Sequence, residues 1–189
     1  MFGSTPGVIQ TSVGYAGGKR KHPTYQNLGD HTEVVQIQYD PCRITFKQLL
    51  SLFWKNHNPS ILYQKQYWSI ILYINEEQKS VAQDFLQLYK KESLATIYTQ
   101  IIPFEEYHHA ESYHQKYILQ THPWIIVAVN VQSAKDLIQS QICTKLNGFL
   151  SSYGTHDELI EVAKTFGLNE KMVEYISREM TETTIIDEN

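Results

Sequence analysis

The first regular pattern along the chain is an alternation. Ile9, Thr11, Val13 and Tyr15 interleave with Val8, Gln10, Ser12 and Gly14, which is strand spacing. GYAGGKRKHPTY follows, and its glycines, basic triplet and Pro23 predict a loop. A second strand is predicted over residues 33–40, with Val35, Ile37 and Tyr39 on one face and Gln36 and Gln38 on the other. Thr45 then opens a helix, and Gln48 three residues later completes a capping-box pattern. Phe46, Leu49, Leu50, Phe53 and Trp54 form one apolar stripe at helical spacing, ended by Asn58-Pro59.

Residues 69–74 read as a short apolar strand, central and buried on both faces. A helix from about Asn75 is predicted to turn Val81, Phe85, Leu88 and Tyr89 inward, and residues 95–102 form another strand. FEEYHHAESYHQKYIL is polar and aromatic-rich, with a helical second half. The texture changes after residue 123. One amphipathic helix is predicted over residues 133–152, with Leu137, Ile138, Ile142, Leu146 and Phe149 on its apolar side and Gly154 as its stop. Residues 156–166 and 169–180 give two short helices joined through Gly167, and the last nine residues are expected to fray. The reading is a mixed β-loop-β-α-β-α-β core over residues 1–122 and a helical extension over residues 130–180.

Composition narrows the classes of function. Hydrophobic residues make up 42% and charged residues 19% of the 189, an ordinary globular balance. A net charge of -4 without a basic stripe argues against nucleic acid as a partner. The longest apolar run, Trp124 to Val129, is far too short to span a bilayer. MFGSTPGV has neither the basic nor the apolar region of a signal peptide. Two cysteines, Cys42 and Cys143, make no disulfide framework, so a reducing cytoplasm is the expected setting.

Several residues invite a chemical reading. Glu33 stands where a polar loop enters a strand. Held among tyrosines and apolar residues, such a carboxyl can stay protonated and donate; at the surface it simply caps the loop. Tyr67, before an apolar strand, can either hydrogen-bond a substrate oxygen or serve the core. His108, His109, Glu111 and His114 lack metal-ligand spacing, so no metal is expected. GYAGGK does not match the phosphate-binding loop. Cys143 sits one step off a helical stripe, as an inert buried cysteine would, although Lys145 is near. Cys42, after Pro41, is the more exposed of the two.

PGVIQTSVGYAGG, HPTYQNLGDHTEVVQIQYDP, LFWKNHNP, QYWSIILY, EEQ and AESYHQKY occur in an order and spacing that resemble the peptide methionine sulfoxide reductase A family over about residues 2–122. The resemblance implies an α+β fold, a two-layer sandwich with a ferredoxin-like core, here carrying the C-terminal helical extension. It implies reduction of methionine S-sulfoxide, in proteins and free. A cysteine thiolate attacks sulfur while a glutamate and two tyrosines grip the oxygen. Those positions are Glu33, Tyr25 and Tyr67. It further implies a second, resolving cysteine, thioredoxin or another dithiol as reductant, and no metal or organic cofactor.

The chain departs from this pattern in four places. The family's nucleophile lies in a GCFWG motif that would fall upstream of Met1, and neither Cys42 nor Cys143 takes its place. The chain therefore reads as N-terminally incomplete and, as it stands, weakly active or inactive. The alternative is a pseudoenzyme or binding module. SILYQK has no aspartate before the active-site tyrosine, and Trp68 stands where an arginine is usual. The glycine-rich tail is replaced by helices in which Cys143 is the one candidate resolving cysteine.

Overall fold

The computed structural model describes residues 1–186, with side chains through residue 181. It is a mixed α/β structure. The elements are β1 (Val8–Ala16), β2 (Thr32–Tyr39), α1 (Phe46–Lys55), β3 (Ile70–Tyr73), α2 (Glu76–Glu92), β4 (Gln100–Pro103), β5 (Tyr107–His109), α3 (Tyr117–Gln120), α4 (Pro123–Ala128), α5 (Ala134–Gln139), α6 (Gln141–Phe149), α7 (His156–Phe166) and α8 (Glu170–Ile186). One sheet has the order β2-β1-β5 and a second is the parallel pair β3-β4. The chain forms two compact units. Unit 1 comprises residues 1–12, 36–44 and 112–189, and unit 2 residues 13–35 and 45–111.

In unit 2 the end of β1 runs antiparallel to β5, with Gly14 opposite His109 and Ala16 opposite Tyr107. Helix α1 starts as its sequence predicts. Thr45 accepts from the Gln48 amide, and the Gln48 side chain reaches back to the Thr45 amide. Leu50 and Trp54 on its apolar face form a core with Ile71, Ala82 and Ile97. Asn75 caps α2 through the Gln78 amide. Val81, Phe85 and Tyr89 join that core, but Leu88 is half exposed. Strand β3 is not buried on both faces: it has a single partner strand, only Ile71 is buried, and Ile74 beyond it lies open. Its apolar composition reflects a small sheet flanked by α2, not a central position. The strand expected over residues 95–102 is confined to Gln100–Pro103, and β5 lies in a segment with no strand signal.

Unit 1 is organised around α6. The single helix predicted over residues 133–152 is two helices. Ser140 ends α5 and caps α6, its hydroxyl accepting from the Cys143 amide. The break lets both helices present apolar residues to one cluster, in which Leu119, Ile125, Leu137, Cys143, Leu146, Phe149, Leu159, Met172 and Ile176 are buried. Thr155 and Glu158 form a capping box on α7, and Gly167 ends it in the left-handed region. Helix α8 continues to Ile186, past the point where fraying was expected; residues 187–189 lie outside the described residues.

The N-terminal segment lies directly on α6. A Cβ on Gly148 would stand 2.3 Å from the Ser4 amide nitrogen, and one on Gly3 would stand 2.3 Å from the Thr144 carbonyl oxygen. Backbone therefore touches backbone there, and only glycine permits it. Buried Lys145 reinforces the contact, and buried Lys116 joins β1 to α5. Lys145 Nζ donates to the Thr5 carbonyl at 2.7 Å. Lys116 Nζ donates to the carbonyls of Thr11 and Ile138. Burial pushes both ammonium groups down to about 8, with the Arg43 charge a further cause at Lys145.

Two outcomes follow from this packing. Gly148→Ala gains helix propensity but forces the segment around Ser4 to move, so urea denaturation is expected to show a net loss of about 1–3 kcal/mol. Unchanged stability would mean that the contact is loose. Cys42 is exposed and Cys143 is fully buried, its thiol pushed up chiefly by burial. Under native conditions iodoacetamide should alkylate Cys42 quickly, and Cys143 only after unfolding. Equal rates by mass spectrometry would contradict the closed helical cluster.

Candidate active site

Tyr25, Glu33 and Tyr67 all belong to unit 2, and three local structures position them. The first is the loop after β1. The Asp30 carboxylate accepts from the Lys19 and Arg20 amides at 2.9 and 3.0 Å, and these backbone donors hold it below the ordinary carboxylate range. His31 is fully buried, its Nε2 donating to the Arg20 carbonyl at 2.8 Å and its Nδ1 accepting from the Gly18 amide at 3.3 Å. The loop thus closes on its own acid and imidazole. A Cβ on Gly18 would stand 2.6 Å from Asp30 Oδ1, which accounts for a glycine in GYAGG without any phosphate.

Glu111 anchors the second structure. One carboxylate oxygen accepts from the Tyr15 hydroxyl at 2.7 Å and the other from the Tyr25 amide at 3.0 Å. This ties the Pro-Thr-Tyr turn to the end of β1. The third is a 3-10 turn, Lys65–Tyr67. The buried Thr32 hydroxyl donates to the Lys65 carbonyl at 2.8 Å, and Gln66 Nε2 donates to Glu33 Oε1 at 2.7 Å. The start of β2 and the turn carrying Tyr67 are therefore fastened side by side.

The result brings the three side chains together. Glu33 and Tyr25 both lie close enough to Tyr67 to act on its hydroxyl. Loss of solvent, then the Glu33 charge and Tyr25, raise the Tyr67 hydroxyl above its usual range, so it is a proton donor at neutral pH. Both tyrosines are 45–46% exposed and Glu33 is half-buried. The arrangement offers two phenolic donors and a carboxyl to a polar group arriving from solvent.

Gln66 and Glu111 were not singled out as parts of this site from the sequence. Gln66 neighbours Tyr67 in QYWS, and a polar residue beside a functional tyrosine is the only signal it gave. Glu111 showed itself only as one acid among histidines. Among the described residues, no group of three or more His, Cys, Asp or Glu is placed to hold a metal ion. Cys143 belongs to unit 1, buried in the helical cluster. No helix among the described residues is long and apolar enough to cross a membrane.

A family model described as peptide methionine sulfoxide reductase matches residues 1–146, past residue 122 and into α6. The peptide methionine sulfoxide reductase of Drosophila melanogaster is 44% identical over 178 residues, covering 93% of this chain and 72% of the relative. Peptide methionine sulfoxide reductase A5 of Arabidopsis thaliana is 38% identical over 157 residues, or 78% of this chain and 61% of the relative. Among solved structures, methionine sulfoxide reductase A of Corynebacterium diphtheriae aligns with a TM-score of 0.56 at 31% identity, covering 64% of this chain and 68% of that one. With most of its length matched by a family model and by relatives at this identity, the chain belongs to the peptide methionine sulfoxide reductase family.

Proposed function

We propose that this protein takes part in thiol-dependent reduction of methionine S-sulfoxide to methionine, in proteins and as the free amino acid. The observation that carries the reading is that Tyr25 and Glu33 both lie close enough to act on the Tyr67 hydroxyl, with the two tyrosines half exposed to solvent. A sulfoxide oxygen is a poor leaving group until it is protonated or strongly hydrogen-bonded. In this reading the two phenols donate to that oxygen and Glu33 supplies the proton, with Gln66 orienting the carboxyl. A cysteine thiol attacks the sulfur, and the oxygen passes to it. The products are a thioether and a cysteine sulfenic acid. A second thiol then expels water and leaves a disulfide, which an external dithiol of the thioredoxin type reduces. The side chains described need no metal or organic cofactor for these steps. The scarcity of cysteine suits a reducing, cytoplasmic setting. Residues 1–122 are read as the reductase-like part, with a ferredoxin-like two-layer core, and residues 130–180 as the extension.

One observation favours a second reading. Cys42 and Cys143 are the two cysteines of the sequence, and the family resemblance gives the nucleophile's role to neither. Cys143, the candidate resolving thiol, must leave the helical cluster before it can exchange. In this second reading neither cysteine acts as nucleophile, and the protein binds a sulfoxide without reducing it.

The 189-residue polypeptide, assayed with dithiothreitol and N-acetylmethionine S-sulfoxide, is expected to turn over little. Robust turnover lost in Cys42→Ser or Cys143→Ser would reveal a relocated nucleophile. In a form carrying the GCFWG motif ahead of Met1, Glu33→Gln should lower kcat by about 100-fold or more, and Tyr67→Phe by about 10-fold, with the fold intact by circular dichroism. A Glu33→Gln enzyme as fast as the parent would remove the proton-donor role.

A further inference from the structure

Unit 1 contains a cleft that the reductase reading does not use. It has a volume of about 520 Å³, within the range of small-molecule sites, and its lining comes wholly from unit 1, without Tyr25, Glu33 or Tyr67. Lys145 of α6 is 5% exposed and lines it. Its ammonium has three hydrogens, and the Thr5 carbonyl takes one. Arg43, on the turn after β2, lines the same cleft, and its guanidinium charge bears on Lys145. Among the described residues neither cation has a carboxylate within ion-pair distance.

The acids of the cleft are differently placed. Asp40 accepts from the Cys42 amide within its own turn. Glu158 accepts from the Thr155 amide in the α7 capping box, although its charge also reaches Lys145. Glu161 pairs with Lys164 at the surface, and Asp157 occupies the first turn of α7, where the helix N-terminus favours a negative charge. Each acid is thus used by its own element, while the two cations face the cleft with most of their donors unspent. A buried ammonium in this condition is costly, and an anion that reached it would recover much of the cost. Ile9, Val162 and Phe166 supply an apolar stretch of wall.

We propose that this cleft binds a small organic carboxylate, its head group on Lys145 and Arg43 and its aliphatic part along Ile9, Val162 and Phe166. The head group exploits the two cations and the tail exploits the wall, so neither an inorganic anion nor a neutral isostere should match it.

Isothermal titration calorimetry of the 189-residue protein with hexanoate tests this, with hexanol, hexylammonium and inorganic phosphate as comparisons. Hexanoate should bind, and each comparison at least about tenfold more weakly. Lys145→Met, which keeps side-chain length and removes the charge, should weaken hexanoate about tenfold or more, and Arg43→Gln about threefold. No hexanoate heat at millimolar concentrations overturns the proposal. So does phosphate binding as tightly as hexanoate, or hexanoate affinity that Lys145→Met leaves unchanged. If Lys145→Met fails to fold by circular dichroism, the exposed Arg43→Gln decides, and unaltered affinity in that variant counts against the site.

Discussion

Lys145 and Lys116 are buried ammonium groups that donate hydrogen bonds to main-chain carbonyls, and the arrangement of unit 1 follows from what they require. A charge removed from water must find oxygen atoms, and the nearest are those of Thr5, Thr11 and Ile138. The N-terminal segment therefore has to lie along α6, and the start of β1 beside the end of α5, at hydrogen-bonding distance of the two lysines. That proximity is possible only because Gly3 and Gly148 remove the side chains that would separate the backbones. The apolar cluster of the helices gives unit 1 its cohesion, but it is non-directional. The lysine–carbonyl bonds are what select one register of segment against helix. The same requirement leaves Lys145 short of partners on its open side, which is the origin of the cationic end of the cleft.

Much of the local structure could be read directly from residue types. The Thr45–Gln48 box predicted one helix start, because a capping box is a short-range event settled within four residues. Gly167 marked a helix end for the same reason. Tertiary placement was less legible. The run at residues 69–74 looked like a central strand, yet a small two-stranded sheet flanked by a helix needs the same residues. Ser140 interrupts a continuous amphipathic pattern, and a serine within such a pattern is equally compatible with an unbroken helix. Strand β5 is only three residues long and is made by its partner β1, not by its own preference.

The site divides along the same line. Tyr25, Glu33 and Tyr67 were recognisable because motifs carry them, and the fold brings them together in unit 2. Gln66 and Glu111 act through long-range hydrogen bonds to Glu33 and to Tyr15 and Tyr25. Nothing in their local sequence distinguishes such a partner from a solvated side chain. The glycines of GYAGG were visible as a loop signal. Their reason, a backbone folded tightly onto Asp30 and His31, needed coordinates.

Strands β1 and β2 each begin in one unit and finish in the other, so the chain passes between the units four times. Neither unit is a contiguous stretch that a ribosome could complete before starting the next. In unit 1, residues 1–12 are separated from the helices after residue 112 by a long stretch of chain, most of it in unit 2. Its buried lysines and apolar helices lie C-terminal to the segment they secure. Folding must therefore close a long loop before unit 1 gains its core, an entropic cost that a contiguous unit would not carry.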